Sequence, residues 1–86
     1  SMAYSILLAP PAERQLKALA EAIQKRVLTR LKTLQRNPRP PGVKKLAGEG
    51  KLYRIREGSY RIIYTIQDKE LIVLVLKIGD RKEVYR

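Results

Sequence analysis

The chain has 86 residues, with Lys and Arg at 19 against Asp and Glu at 8, a formal charge of +11. A chain of this size buries only roughly 60 to 65% of its extended surface, so residues 1–86 make one domain with one modest core, and the charge excess selects a polyanionic partner. Cys and His are both absent, which excludes a disulfide framework and the usual zinc and haem ligand sets and removes the side chain most used as a general base; no cofactor or metal is expected.

Ser1 ahead of Met2 reads as a residue left by cloning. No apolar run approaches the roughly 18 residues of a membrane span and no signal peptide is visible, so a soluble cytoplasmic protein is expected. Tyr4 to Ala9, YSILLA, has the length of a buried strand, ended by Pro10-Pro11, and Pro11 suits the first turn of a helix. From Ala12 to Arg36 the residues Leu16, Leu19, Ala20, Ile23, Val27, Leu31 and Leu34 recur at three- and four-residue spacing, the signature of amphipathic helix. One helix of that length would span roughly 37 Å, too long for so small a domain, which predicts a two-helix hairpin bent near Ala20 to Ala22. Asn37-Pro38 stops the second helix, and Arg39 to Gly42 is a stiff connector.

Val43 to Lys51 carries two glycines and leads into three predicted strands, Leu52 to Glu57, Ser59 to Gln67 and Leu71 to Ile78. Asp68-Lys69 is the expected second turn. The third strand, LIVLVLKI, is apolar on both faces, as a covered central strand would be. Arg81 to Arg86 follows as an edge strand or extended tail. The fold class is therefore α+β: an N-terminal strand, a two-helix hairpin and an antiparallel meander of three to four strands, with the helices on one sheet face and the other left open.

The most informative stretch is Tyr53 to Tyr64, YRIREGSYRIIY. Gly58-Ser59 suits a two-residue hairpin loop, because Gly supplies the positive φ that a type II′ turn needs first. That loop sets Arg56 opposite Arg61, and alternation puts Arg54, Arg56 and Arg61 on one face and Tyr53, Ile55, Ile62 and Tyr64 on the core face. Directly opposed like charges destabilise a sheet, so the pair points to a bound anion. Further from the tip, Ile63, Ile72, Leu74 and Leu76 fall on the same face as the arginines, an apolar area that a partner protein would cover. Arg81, Tyr60 and Tyr85 complete the groups with chemical potential. Guanidinium groups offer paired donors to phosphate oxygens, and a tyrosine can stack on a base or orient a ribose 2′-OH.

These marks together, with the step Lys45-Leu46-x-Gly48, Gly58 to Tyr64 as GSYRIIY and Ile78 to Tyr85 as IGDRKEVY, resemble the RelE toxins of the RelE/ParE toxin-antitoxin superfamily over nearly the whole chain. The resemblance implies a RelE-like, microbial-RNase-like fold and a toxin of a type II module. It implies cleavage of mRNA in the ribosomal A site by attack of the 2′-OH on its own phosphodiester, without a metal. It also implies a RelB-like acidic antitoxin in a hetero-oligomer. Carried over residue by residue, Arg54 and Arg56 match the paired basic positions and Arg61 the arginine steadying the scissile phosphate. Arg81 matches the arginine beside the leaving 5′-oxygen, and Tyr85 the tyrosine on the cleaved nucleotide. Members with lysines at the first two positions are read as using one as the base, and arginine deprotonates poorly. Glu83 shares a face with Arg81 and Tyr85 in an extended tail and is a candidate base, with a salt bridge to one of the arginines as its alternative role.

Lys44, Lys45 and Lys51 flank the hairpin as candidate contacts to RNA phosphates, and Lys17, Lys25, Arg26, Arg30 and Lys32 lie on the polar helix faces as candidate ribosome-docking charges. Tyr53 and Tyr64 read as core. Two other functions fit the same fold: a non-catalytic inhibitor of DNA gyrase of the ParE kind, and a basic RNA-binding module without activity.

Overall fold

The computed structural model describes residues 3–48 and 50–80. Strand β1 (Ser5–Leu8) runs into helix α1 (Pro10–Ala18), which begins with proline in its first turn, where a missing N–H costs nothing. Leu19 and Ala20 adopt extended backbone and break the helix where the long amphipathic run has to fold back; α2 (Glu21–Arg36) then returns across the sheet. A short β2 (Lys44–Lys45) precedes β3 (Leu52–Glu57), β4 (Tyr60–Gln67) and β5 (Ile72–Asp80).

The sheet has five strands in the order β1-β5-β4-β3-β2. The β3-β4-β5 part is the expected antiparallel meander, whereas β1 pairs with β5 in parallel, Ser5 opposite Ile72 and Leu8 opposite Val75. The sheet therefore gains a fifth member from Lys44–Lys45, which pairs antiparallel with Arg54 and Tyr53. The segment had read as a lead-in because two lysines carry no alternation signal. Strand β5 lies between β1 and β4, but it is covered on one face only: Val73, Val75 and Ile78 are buried under the helices, whereas Ile72 and Leu74 on the open face are half-buried.

Val27, Leu31 and Leu34 of α2 and Ala12 and Leu16 of α1 close over Tyr53, Ile55, Ile62, Tyr64, Ile66, Val73, Val75 and Ile78. Each large aliphatic side chain buried there contributes about 1.5 to 3 kcal/mol. Helix α1 is also fixed by polarity: beyond the reach of β1, the Ile78 N–H donates to the Gln15 Oε1 at 2.7 Å. A buried donor on a sheet edge thus acquires an acceptor from the helix layer.

The second turn is not the two-residue Asp68-Lys69 loop. It spans Asp68 to Leu71, closed by the Leu71 N–H donating to the Asp68 carbonyl at 3.3 Å, with Leu71 left-handed at φ 56°. The longer loop moves the pairing by two residues, so Gln67 faces Ile72 and Thr65 faces Leu74. Asp68 is pinned from two sides. The Tyr4 hydroxyl donates to its Oδ1 at 2.6 Å, and the Arg39 guanidinium donates to both oxygens at 3.2 and 2.9 Å. Arg39 also lies over the Tyr53 ring at 5.5 Å, Tyr53 stacks on Tyr64, and the buried Tyr64 hydroxyl donates to the Pro38 carbonyl at 2.7 Å. The proline-rich connector is thereby clamped to the sheet. The two donors hold the Asp68 carboxyl at about 2, below the usual carboxylate range, while burial pushes the Tyr64 phenol up to about 12.

Candidate nucleic-acid interface

The β3–β4 hairpin has the expected tight turn. Glu57 pairs with Tyr60 and Gly58 has φ 60°, while Ser59 stays in the negative-φ half of the map, as a type II′ turn requires. Arg26 of α2 supports the turn from below, with its Nε 3.9 Å from Glu57. The register is the one that the arginine sorting needs: Arg56 lies opposite Arg61, and Arg54 opposite Ile63.

On the face away from the helices, β2 brings Lys44 directly beside Arg54. Lys45 pairs with Tyr53 and so points to the opposite face. Lys51 is exposed and sits close enough to Asp68 for its charge to help lower that carboxyl. Of the three lysines flanking the hairpin, only Lys44 joins the arginines. Arg56 is exposed, Arg54 half-buried and Arg61 buried at 6% exposure. A guanidinium held in such a site acts through a lower dielectric than a solvated one. A shallow pocket of about 140 Å³ opens between Arg56, Gly58, Ser59, Tyr60 and Arg61. Tyr60 also borders a second hollow, of about 330 Å³, with Gln15, Leu19 and Asp80. Alternation from Arg61 sets the Tyr60 side chain on the helix-side face with Ile62 and Tyr64, so Tyr60 lies at the rim of the charged pocket and not among the arginines.

The open face differs from expectation in its apolar part. Ile63 is 5% exposed and lies between Arg54 and β5 as an apolar floor. Ile72 and Leu74 are half-buried, and Leu7 of β1, 48% exposed, lies beside Leu74. The apolar patch is thus concentrated at the β1–β5 end, remote from the hairpin tip. Leu76 leaves the alternation altogether, because β5 carries an irregularity there: Ile63 pairs with Lys77 while Tyr64 pairs with Val75. Lys77 is exposed and falls on the arginine face, which alternation alone had not assigned to it.

The helix cations are in a different setting. Lys17 pairs with Glu13 at 2.9 Å and Lys25 with Glu21 at 3.5 Å. These pairs and the Arg26 contact to Glu57 lie in the helical layer, on the far side of the sheet from Arg54 and Arg61. Arg30 is half-buried and Lys32 exposed in the same layer. Arg81, Glu83 and Tyr85 lie outside the described residues. No helix among the described residues is long and apolar enough to cross a membrane.

Residues 6–85 match the sequence profile of the ParE toxin of type II toxin-antitoxin systems. The chain belongs to that toxin family. Within it, the relatives and fold neighbours make this a RelE-type toxin. It is 32% identical to a provisionally named RelE-like toxin protein of Escherichia coli, over 98% of this chain and 92% of that one. It superposes on the archaeal RelE-RelB complex of Pyrococcus horikoshii with a TM-score of 0.82 and 32% identity, covering 96% of this chain and 100% of that one. It also superposes on the toxin-antitoxin complex RelBE2 of Mycobacterium tuberculosis with a TM-score of 0.83 and 27% identity, covering 95% of each chain.

Proposed function

We propose that this toxin is a ribosome-dependent endoribonuclease that cuts mRNA in the A site and so stops translation. The observation that supports this reading best is the cross-strand pair of Arg56 and Arg61, set beside Arg54 on the sheet face away from the helices. In the proposed reaction the ribose 2′-oxygen attacks the adjacent phosphorus as the bond from phosphorus to the 5′-oxygen breaks. The products are a 2′,3′-cyclic phosphate and a 5′-hydroxyl. The proton of the 2′-OH passes to a base and a proton is delivered to the departing 5′-oxygen. In this reading the guanidiniums of Arg54, Arg56 and Arg61 offset the negative charge that grows on the phosphorane oxygens. Removing a single donor of this kind costs about 10²- to 10³-fold in rate.

None of the three arginines is suited to take the 2′-OH proton. In this reading the proton-transfer roles belong to the tail, with Glu83 or Tyr85 as acceptor and Arg81 beside the 5′-oxygen. Positioning by the ribosome supplies much of the rest, since alignment alone is worth roughly 7 to 11 kcal/mol. No metal takes part in these steps. The partner that silences the toxin is an acidic antitoxin of the RelB kind, in keeping with the complexes formed by the similar proteins and with the charge of +11. The protein acts in the cytoplasm, where the ribosomes are.

Purified protein added to programmed ribosomes, with mRNA ends mapped by primer extension, tests the proposal. Cleavage is expected only with ribosomes present. Intact mRNA together with gyrase-dependent breaks in plasmid DNA would instead establish the ParE kind of activity.

A further inference from the structure

We infer that Lys77 is a phosphate-contacting residue of the same face, carried there by the bulge in β5. The inference rests on the nuclease reading above and extends it to a group that the chain's alternation hides. Val75 and Ile78 are both buried in the helix-side core, at 0% and 1% exposure. Two core residues three apart cannot belong to an unbroken strand, in which core positions are even-numbered steps from one another. The register confirms one extra residue at Leu76, after which Lys77 pairs with Ile63 and Gly79 with Arg61. Without the bulge Lys77 would point into the core. A strand that accepts this irregularity and turns a lysine outward is the arrangement by which bulges re-aim side chains at sites of function.

The consequence is a transverse row across four strands: Lys44, Arg54, Ile63 and Lys77. A second row holds Arg56, Arg61 and Gly79, the last presenting no side chain. Lys77 is the diagonal neighbour of Arg61, a relation that sets Cα atoms about 7 to 8 Å apart and lets long side chains converge on one ligand. Ile63 between Arg54 and Lys77 gives their aliphatic stems an apolar floor. Among the described residues no carboxylate forms a salt bridge with Lys77. Its ammonium is thus presented to the β5 side of the phosphate that Arg61 would hold, where the next phosphate of a single strand would lie. It serves there as a point charge, for which neither bidentate geometry nor proton exchange is required.

The test uses the full-length toxin and a short fluorescent single-stranded RNA with 2′-O-methyl riboses, so that no cleavage occurs, with anisotropy read across a salt series. Lys77→Met is expected to weaken binding several-fold at low salt and to reduce the slope of log affinity against log salt by about 0.7, the contribution of one single-strand phosphate contact. Lys77→Arg is expected to restore both. Arg14→Met, an exposed position on α1, is expected to leave the slope at the wild-type value. Lys77 is exposed, so circular dichroism should show both Lys77 variants folded. If the wild type binds and Arg61→Ala weakens it while Lys77→Met keeps the wild-type slope, the role of Lys77 is overturned and the nuclease reading stands. If the wild type binds no RNA and cuts none on ribosomes, both fall together.

Discussion

Gly58 is the residue on which the hairpin register turns, and Gly58→Ala is the most informative single change there. At φ 60° an L side chain is strained, and the first central position of a type II′ turn is one that glycine fills almost alone. That conformational term costs about 1 to 2 kcal/mol. An added Cβ would also come within 3.1 Å of an Arg26 terminal nitrogen. Because that is the end of a flexible side chain, it moves aside at the expense of a weak 3.9 Å contact to Glu57 and adds little. The expected loss is therefore about 1 to 2 kcal/mol, which for a domain of this size lowers Tm by roughly 4 to 16 °C. Replacing Gly58-Ser59 by Asn-Gly keeps a two-residue loop in the related type I′ form and is expected to stay within about 0.5 kcal/mol of wild type. Thermal unfolding followed by circular dichroism gives both numbers, and RNA binding at a temperature where all variants are folded reports the register of Arg56 and Arg61. Gly58→Ala at wild-type Tm, or Asn-Gly as unstable as Gly58→Ala, would refute the turn assignment.

Other consequences follow from the connector clamp and the two-faced lysines. Tyr64→Phe removes a buried hydroxyl that donates to Pro38 and leaves that carbonyl without its donor; a loss of about 1 to 2 kcal/mol in chemical denaturation is expected. The Asp68 carboxyl titrates at about 2 in the folded chain against 3.8 ordinarily, so its pairing with Arg39 and Tyr4 stabilises the fold above about pH 4, and that stability is lost as pH falls toward 2. The Tm difference between wild type and Asp68→Asn should accordingly be largest near neutrality and shrink through that window; a difference independent of pH would contradict the sign. Lys44→Gln should weaken RNA binding and flatten its salt dependence, whereas Lys45→Gln, on the opposite face, should leave the salt slope as it is.

The hairpin was legible because two independent signals agreed, a Gly-X loop and an unbroken alternation around it, and the structure returns the pairing of Arg56 with Arg61 that they imply. The helix break was legible for a different reason, since a run of that length could not fit the domain, and it falls at Leu19-Ala20, within a residue of the expected bend. What could not be read depends on contacts far apart in the chain. Leu71 looks like the first residue of an apolar strand, yet it closes the second turn in a left-handed conformation, with Asp68 anchored by Tyr4 and Arg39 from elsewhere in the sequence. The parallel pairing of β1 with β5 joins segments more than sixty residues apart, and nothing local specifies it. The bulge at Leu76 is invisible in LIVLVLKI, where every residue before Lys77 is equally suited to either face. This is why Lys77 was missed while Arg54, Arg56 and Arg61 were found together, and why Lys44, Lys45 and Lys51 read as one group although the sheet divides them.

Arg61 is the residue at which cleavage chemistry is tested most directly. Programmed ribosomes carrying a labelled mRNA, incubated with wild type and with Arg61→Ala, should yield an upstream fragment ending in a 2′,3′-cyclic phosphate at the A-site codon for the wild type. Arg61→Ala should slow that reaction by about 10²- to 10³-fold while remaining folded. Cleavage at the wild-type rate by Arg61→Ala, or equally fast cleavage of an mRNA lacking the 2′-OH at the cut position, would contradict the account.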